Sequence, residues 1–485
     1  MDYYDIVIVG AGPCGLSLAH CCSNIKNIKI LIIDKEKTIG GCHRVKRVTV
    51  GKYSDIFTEH GPRIYLSIYY NLFYLMSEMG LSINDVFTNY KYNFLLLSIT
   101  KILPNFSLYE IVILTYVYLL YLLNEDYGND INLRYFLESY GFQSSSKDIF
   151  DKLCRFSDGS GYDKYSLNKI IKIFDIISLT NIYQPKYPLD ISLFSVWYKY
   201  LEQNNVDFLL GTNITYINKN DGKIDYIVLD DNIKIACGKL ILAVPPIGIK
   251  NIIKKNKEIK DAFGDFETFD KWAEKTEYIE YISITYHFKD NIKINELNGL
   301  ALDTDWALRV INLSDYMSEI EIGYKKVLSV AICKTDVISK YTHKTANECS
   351  KEELYKEVYR QMKMSIYPDL PDNYLAVLNP NNYYNININK WGTEDEAFFN
   401  TFGTKYIPFQ SKNIDNLYNA GTHNGASYFS YTTMESAVSN GISLACILFP
   451  SLRNKYYIHT FVKGKDIILF LITFILILVI ILHNL

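Results

Sequence analysis

Three glycines near the start of the chain, Gly10, Gly12 and Gly15, have the types and spacing to grip a diphosphate. Gly10 lets the backbone turn sharply, Gly12 lets it approach a phosphate closely, and Gly15 lets a following helix pack against a sheet. The free N–H groups at that helix start, among them those of Cys14 and Gly15 behind Pro13, offer a positive end to an anion. Asp34 follows about 20 residues after the glycines, where a carboxylate can accept hydrogen bonds from an adenosine ribose, with Lys35 beside it. Beyond lies the pair Gly40-Gly41, which lets backbone pass close to a bound nucleotide, and Arg44, which can neutralise a phosphate. A second cluster stands at the far end of the chain: Ala420-Gly421-Thr422, a loop, and then Met434-Glu435 at a new helix start. Between the two clusters, His60, Arg63, Trp391 and Tyr431 are candidates for a pocket, each with an equally simple reading as packing or as a solvated side chain.

These residues need particular elements to hold them. The run Ile6 to Val9 reads as a buried strand entering the glycine turn, Ile30 to Ile33 as a second strand ending at Asp34, and the order strand, turn, helix, strand, acid is the one a dinucleotide site requires. A helix around Val196-Trp197-Tyr198 precedes Val206 to Leu210, then Ile214 to Ile217, and Asp221-Gly222 reads as a hairpin turn. Leu240 to Val244 is another buried strand. Tyr281 to Phe288 alternates as a strand and Glu352 to Met364 as an amphipathic helix. Thr432 and Glu435 have capping-box spacing at the last helix. No second strand-linked glycine fingerprint occurs, so a built-in NAD(P)H site is not supported.

With these motifs the chain resembles the FAD-containing amine oxidase superfamily, which includes protoporphyrinogen oxidases and phytoene desaturases. The resemblance rests on Asp34 followed by Gly40-Gly41, on Gly61-Pro62-Arg63, on Ala243-Val244-Pro245, on Ala420-Gly421-Thr422, and on Met434-Glu435 followed by Ala437-Val438. It implies an FAD site that includes Gly10, Gly12, Pro13, Cys14, Gly15, Asp34, Lys35, Gly41, Arg44, Gly61, Pro62, Arg63, Ile214, Ala243, Gly421, Thr422, Met434 and Glu435. The last helix would point its amides at the N1/O2 edge of the flavin, where reduction gathers negative charge. The implied fold is α/β: a Rossmann-like FAD-binding domain of the GR2 flavoprotein type, assembled from segments 1–90, 189–250 and 406–450. A mostly helical segment, 91–188, and an α+β segment, 251–405, would build the substrate domain. Cys42 stands where the family's arginine follows the glycine pair, so Arg44 reads either as a shifted substitute or as a surface charge. The stretch Tyr281 to Tyr286 lacks the lysine that many amine oxidases carry there, Thr433 replaces a cage tyrosine and Ser436 a glycine, and these departures point away from a simple amine. The implied activity is hydride transfer from a small organic substrate to the flavin, with oxygen or another carrier as acceptor. A flavin-dependent mutase without net oxidation, or a scaffold with structural FAD, stays open.

The 485 residues, 49% hydrophobic, suffice for two or three domains with sizeable cores, and a formal net charge of -3 gives no footprint for nucleic acid. The nine cysteines are scattered without a C-x-x-C pair, which suggests neither a disulfide framework nor a metal site. The first strand begins almost at Met1, leaving no room for a cleavable leader. Asp466 to Leu485 is nearly continuous Ile, Leu, Phe and Val, about 30 Å as a helix, and reads as a transmembrane tail anchor behind a linker at 451–465. Arg453, Lys455, Lys463 and Lys465 on its near side keep the folded body on the cytosolic side. Leu108 to Leu123 is also apolar, but Glu110 within it favours a core helix or a membrane-facing lip over a span.

Overall fold

The computed structural model describes residues 1–459 and 466, apart from 52, 60, 62, 91–96, 279–280, 291, 293–298, 319–323, 394–397, 401, 404 and 430–431. His60, Pro62, Tyr431 and the apolar tail that follows Asp466 therefore lie outside the described residues.

Strand β1 (Asp2–Val9) enters helix α1 (Pro13–Cys22), and β2 (Ile30–Asp34) returns parallel to β1 with Val9 opposite Ile33. Strands β3 (Val206–Leu210), β4 (Ile214–Asn220), β5 (Lys223–Leu229) and β6 (Lys234–Leu242) complete the order β3-β2-β1-β6-β5-β4. The hairpin between β4 and β5 turns at Asp221 and Gly222, both at positive φ, as the Asp-Gly pair predicts. β6 has two partners on one side. Its first half pairs antiparallel with β5, and its second half pairs in parallel with the short strand Leu417–Asn419, Leu240 opposite Leu417. The parallel strands are apolar on both faces because both are covered. Ile6, Ile8, Ile30 and Ile32 face the helices α1, α2 (Tyr70–Glu78) and the last long helix, while Val7, Val9, Leu31 and Ile33 face the side covered by Pro246–Lys255.

The apolar helix α3 (Leu108–Leu123) and the amphipathic helices α4 (Ser144–Asp158) and α5 (Leu167–Leu179) form a separate layer. Glu110 is not in the middle of the α3 run but in its first turn, where its carboxylate accepts from the backbone N–H groups of Ser107 and Gln143 and from the Ser146 hydroxyl. One stripe of α3 is bare: Leu108 is 78% exposed and Leu123 85%, with Val112, Tyr116 and Leu119 between them. Ser98–Asn105 and α3 meet at 106°, and among the described residues no single helix is long and apolar enough to cross a membrane. A second, antiparallel sheet contains β7 (Ile282–Phe288), β8 (Leu308–Asn312) and β9 (Lys326–Ile332), with Leu300–Ala301 beside β8 and Leu375–Leu378 beside β7. Every residue of β7 and β9 is buried, because the helix Lys351–Ser365 covers one face and the nucleotide-domain side the other. Trp391 belongs to this core. Its indole N–H donates to the Cys349 carbonyl at 3.2 Å and its ring meets Tyr384 edge-on, so the expected pocket role is corrected to packing.

The last long helix, α6 (Met434–Leu448), crosses α1 at a glycine. A Cβ on Gly441 would lie 2.1 Å from Ser17 Oγ and 2.5 Å from the Cys14 carbonyl, so only glycine allows this approach. The chain beyond α6 is fastened by Glu78, which accepts from His20 at 3.0 Å, Lys455 at 2.5 Å and Tyr456 at 2.7 Å. Burial opposes the charge on Glu78, yet these three donors hold its carboxyl down to about 2, while burial pushes the His20 imidazole below its ordinary value. Both shifts make acid unfavourable to the fold. As pH falls through the ordinary imidazole value of 6.5, the unfolded chain takes up a proton that His20 refuses when folded. Below 4.5 the same holds for Glu78, down to about 2. Melting temperature measured from pH 7 to pH 3 is expected to fall throughout, and Glu78→Gln is expected to lower it at pH 7 and flatten the acid limb.

Candidate functional site

The glycine turn is built by contacts that leave one space open. Gly10, at φ +116°, faces the Ala243 carbonyl so closely that a Cβ would lie 2.3 Å from it, and a Cβ on Gly15 would lie 2.0 Å from the Gly10 carbonyl. Gly12 is different. A Cβ there would meet nothing nearer than the Gly41 Cα at 3.7 Å, so the space above it is free for another molecule to approach. Gly12 caps α1, Pro13 is the first helical residue, and the first turn carries no acidic side chain, which leaves the N–H groups of Cys14 and Gly15 and the dipole unneutralised. Burial pushes the Cys14 thiol up to about 12, so it contributes backbone rather than thiolate chemistry. Gly40 N–H donates to the Ala11 carbonyl at 2.8 Å, which presses the Gly40-Gly41 pair against the turn.

Asp34 accepts from Ala11 N–H at 2.7 Å and Glu36 N–H at 2.8 Å, one bond to each oxygen, leaving each a lone pair for a ribose hydroxyl. Lys35 is exposed at the strand end. Arg44 is only 9% exposed, its Nε and Nη1 lack hydrogen-bond partners, and its one ion pair, to Glu36, is at the 4.0 Å limit. The Thr422 hydroxyl is likewise buried without a partner, next to Gly421, whose Cβ would strike the His423 ring at 2.5 Å. An approachable glycine, two orphaned donors and an unneutralised helix start fit a nucleotide diphosphate. Ile214 begins β4 in the core on the other face of the sheet.

At α6 the capping box is one residue later than the sequence spacing suggests. Thr433 is the N-cap, accepting from Ser436 N–H at 2.9 Å, and Ser436 Oγ accepts from Thr433 N–H at 2.9 Å. Glu435 is thereby released for another task. It is 2% exposed and accepts from the N–H groups of Asn71 and Leu72, both at 2.9 Å, and from the Asn71 amide at 2.6 Å. Burial pushes its carboxyl up to about 7 although these donors favour the charge. Its side chain caps α2 and locks α2 to α6, so what Glu435 offers the cleft side of α6 is its backbone N–H rather than its carboxylate.

Pro13 and Met434, the first residues of α1 and α6, line one cleft of about 270 Å³ that opens to solvent. Gly61 and Arg63 line it as well. Arg63 donates to Glu59 at 3.0 Å, to the Cys42 carbonyl, and to Nδ1 of His43 at 2.7 Å, which puts the His43 proton on Nε2. The walls are mostly apolar, from Leu153 and Phe156 of α4, Ile170, Ile173, Phe174 and Ile177 of α5, and the tyrosines Tyr69 and Tyr281. Asp158 lines the cleft but is paired to Lys169 at 2.6 Å and to the Tyr165 hydroxyl at 2.6 Å. Arg309 of β8 also lines it. His43, Tyr69, Tyr281, Asp158 and Arg309 carry no motif spacing: strand register places Arg309, and the packing of helix ends and loops around the cleft places the other four.

The sequence model of the family described as flavin containing amine oxidoreductase matches residues 195–448, and that of an NAD(P)-binding Rossmann-like domain matches residues 8–79. Solved structures of similar fold include an oxidoreductase from Methanosarcina mazei, at 14% identity and TM-score 0.62, covering 90% of this chain and 99% of that one. Putrescine oxidase bound to putrescine is similar at 12% identity and TM-score 0.63, covering 92% and 99%. Cyclohexylamine oxidase from Brevibacterium oxydans is similar at 11% identity and TM-score 0.60, covering 93% and 99%. No curated protein sequence matches the chain.

Because a methyl group on Gly12 meets only the Gly41 Cα, at an ordinary contact distance of 3.7 Å, Gly12→Ala is expected to leave the melting temperature of the flavin-free protein unchanged while lowering bound flavin about tenfold or more. Flavin absorbance per mole of protein measures this, and full retention would move the diphosphate elsewhere.

Proposed function

The chain belongs to the flavin-containing amine oxidoreductase family and is an FAD-dependent oxidoreductase, and from that premise we propose that it oxidises a lipophilic organic substrate while tethered to a membrane. The observation that carries the reading is the single cleft lined by both Pro13 and Met434. When bound, FAD supplies the chemistry of accepting a hydride at N5 and passing electrons to oxygen or another carrier. The protein supplies the rest. The α1 start, Gly12, Arg44 and Thr422 would hold the diphosphate end, and the amides at the α6 start would stabilise the charge that the flavin gathers on reduction. The apolar walls from α4 and α5 exclude water and orient an apolar substrate.

Membrane attachment is supported by the apolar stretch Asp466 to Leu485 and by the bare stripe of α3. α3 packs on α5 through Tyr118, whose hydroxyl donates to Asp175 at 3.0 Å, and the opposite side of α5 lines the cleft. An apolar substrate leaving a bilayer at α3 would have one helix layer to cross. Arg453, Lys455, Lys463 and Lys465 ahead of the tail favour the cytosolic side for the body.

Anaerobic titration of the purified yellow protein with amine, porphyrinogen and polyene candidates tests the chemistry: stoichiometric bleaching of the flavin by one class is expected. Turnover only after chemical pre-reduction would replace oxidation with isomerisation. In flotation assays with lipid vesicles, the full chain is expected to associate fully, a chain ending at His459 weakly, and that shorter chain carrying Val112→Asp and Leu119→Asp not at all. Absence of vesicle association by the full chain would overturn the tether.

A further inference from the structure

The charge balance of the cleft is one-sided. Arg63 is engaged by Glu59, and Asp158 by Lys169, but Arg309 faces the cleft with a single hydrogen bond, from Nη1 to the Phe156 carbonyl. Among the described residues no carboxylate lies within ion-pair distance of it. Its position follows from strand alternation. In β8, Leu308 and Val310 belong to the core between the second sheet and its helix, whereas Arg309 and Ile311 point the other way, toward the cleft. The guanidinium is close enough to Tyr69 and Tyr281 to oppose the effect of burial on both phenols, and both line the cleft. Tyr69 lines the cleft together with Thr433, the N-cap of α6. Arg309 is therefore a cation with spare donors beside the flavin end of a largely apolar chamber.

A half-buried guanidinium without an anionic partner costs stability, and such groups are kept where a ligand completes them. Its planar fork matches a carboxylate bidentately. The same charge repels an ammonium, which sets this cleft apart from what the diamine putrescine or cyclohexylamine would ask of it. Resting on the oxidoreductase reading above, we propose that Arg309 recognises a carboxylate on an otherwise apolar substrate, so that the substrate class of this cleft is a lipophilic acid rather than an amine.

Calorimetric titration of the full chain, loaded with FAD in detergent, with decanoate, decanamide and decylamine tests the inference. Decanoate is expected to bind about tenfold or more tighter than decanamide, and decylamine weakest. Arg309→Gln, which keeps a donor for the Phe156 carbonyl, is expected to bring decanoate and decanamide within about twofold of each other, with FAD content and melting temperature at or above the wild-type values. Arg309→Lys is expected to retain part of the preference. Equal or absent binding of decanoate and decanamide by the unmodified chain, or an acid preference that survives in Arg309→Gln, would overturn the inference while leaving the oxidoreductase reading intact. Failure of the full chain to hold FAD would instead overturn that reading.

Discussion

The site depends on two helices being allowed to touch. α1 and α6 come from opposite ends of the chain, and each presents a start bare of neutralising acid toward one cleft, since Glu435, the acid in the first turn of α6, is turned away to α2. Two like-signed helix ends held near each other repel, so something apolar and close must hold them. The missing side chain of Gly441 does so, letting the backbone of α1 at Cys14 and the hydroxyl of Ser17 sit directly against α6. Larger residues there would spread the helices and part the halves of the cofactor site. The positive ends converge, and an anionic, electron-accepting cofactor is what relieves their repulsion.

Around that crossing, acids are used as fasteners rather than as catalysts. Glu435 caps α2, Glu78 gathers His20, Lys455 and Tyr456, Glu110 joins two helix starts, and Asp158 is held by Lys169. The lining acid, Asp158, is thus already matched. What remains unmatched is cationic or a bare donor: Arg44 and Thr422 toward the nucleotide, Arg309 toward the substrate. These unmatched groups are each complementary to negative charge, a property that overall composition hides because the whole chain carries a net charge of -3.

What the sequence disclosed followed from how local each constraint is. Gly10, Gly15 and Asp34 were legible because one turn and two adjoining strands dictate them, and Arg44 because it trails the glycine pair that meets the turn. The start of α6 was legible to within one residue: Thr432 and Thr433 both suit an N-cap, and only the approach of α2 decides that Glu435 faces outward to Asn71 and Leu72. Between pocket and packing the sequence could not choose for Trp391, since an indole shows no sign, in sequence, of the Cys349 carbonyl that satisfies it. Arg309 was invisible for the same reason in reverse. A lone arginine in a strand gains meaning from the face it occupies, and that face is set by β9 and β7, which belong to the strand order and not to spacing.

The strand Leu417–Asn419 pairs with β6, which the ribosome has released well before it. Until that strand arrives, the second half of β6 carries an unsatisfied row of backbone donors and acceptors beside an apolar surface, an invitation to adhesive mispairing. Closing the gap joins Leu240 to Leu417, 177 residues further along the chain, which is slow. The nascent protein is thus obliged to protect an open seam during synthesis, and coenzyme capture becomes a late, post-translational event whose timing is fixed by the order of the strands.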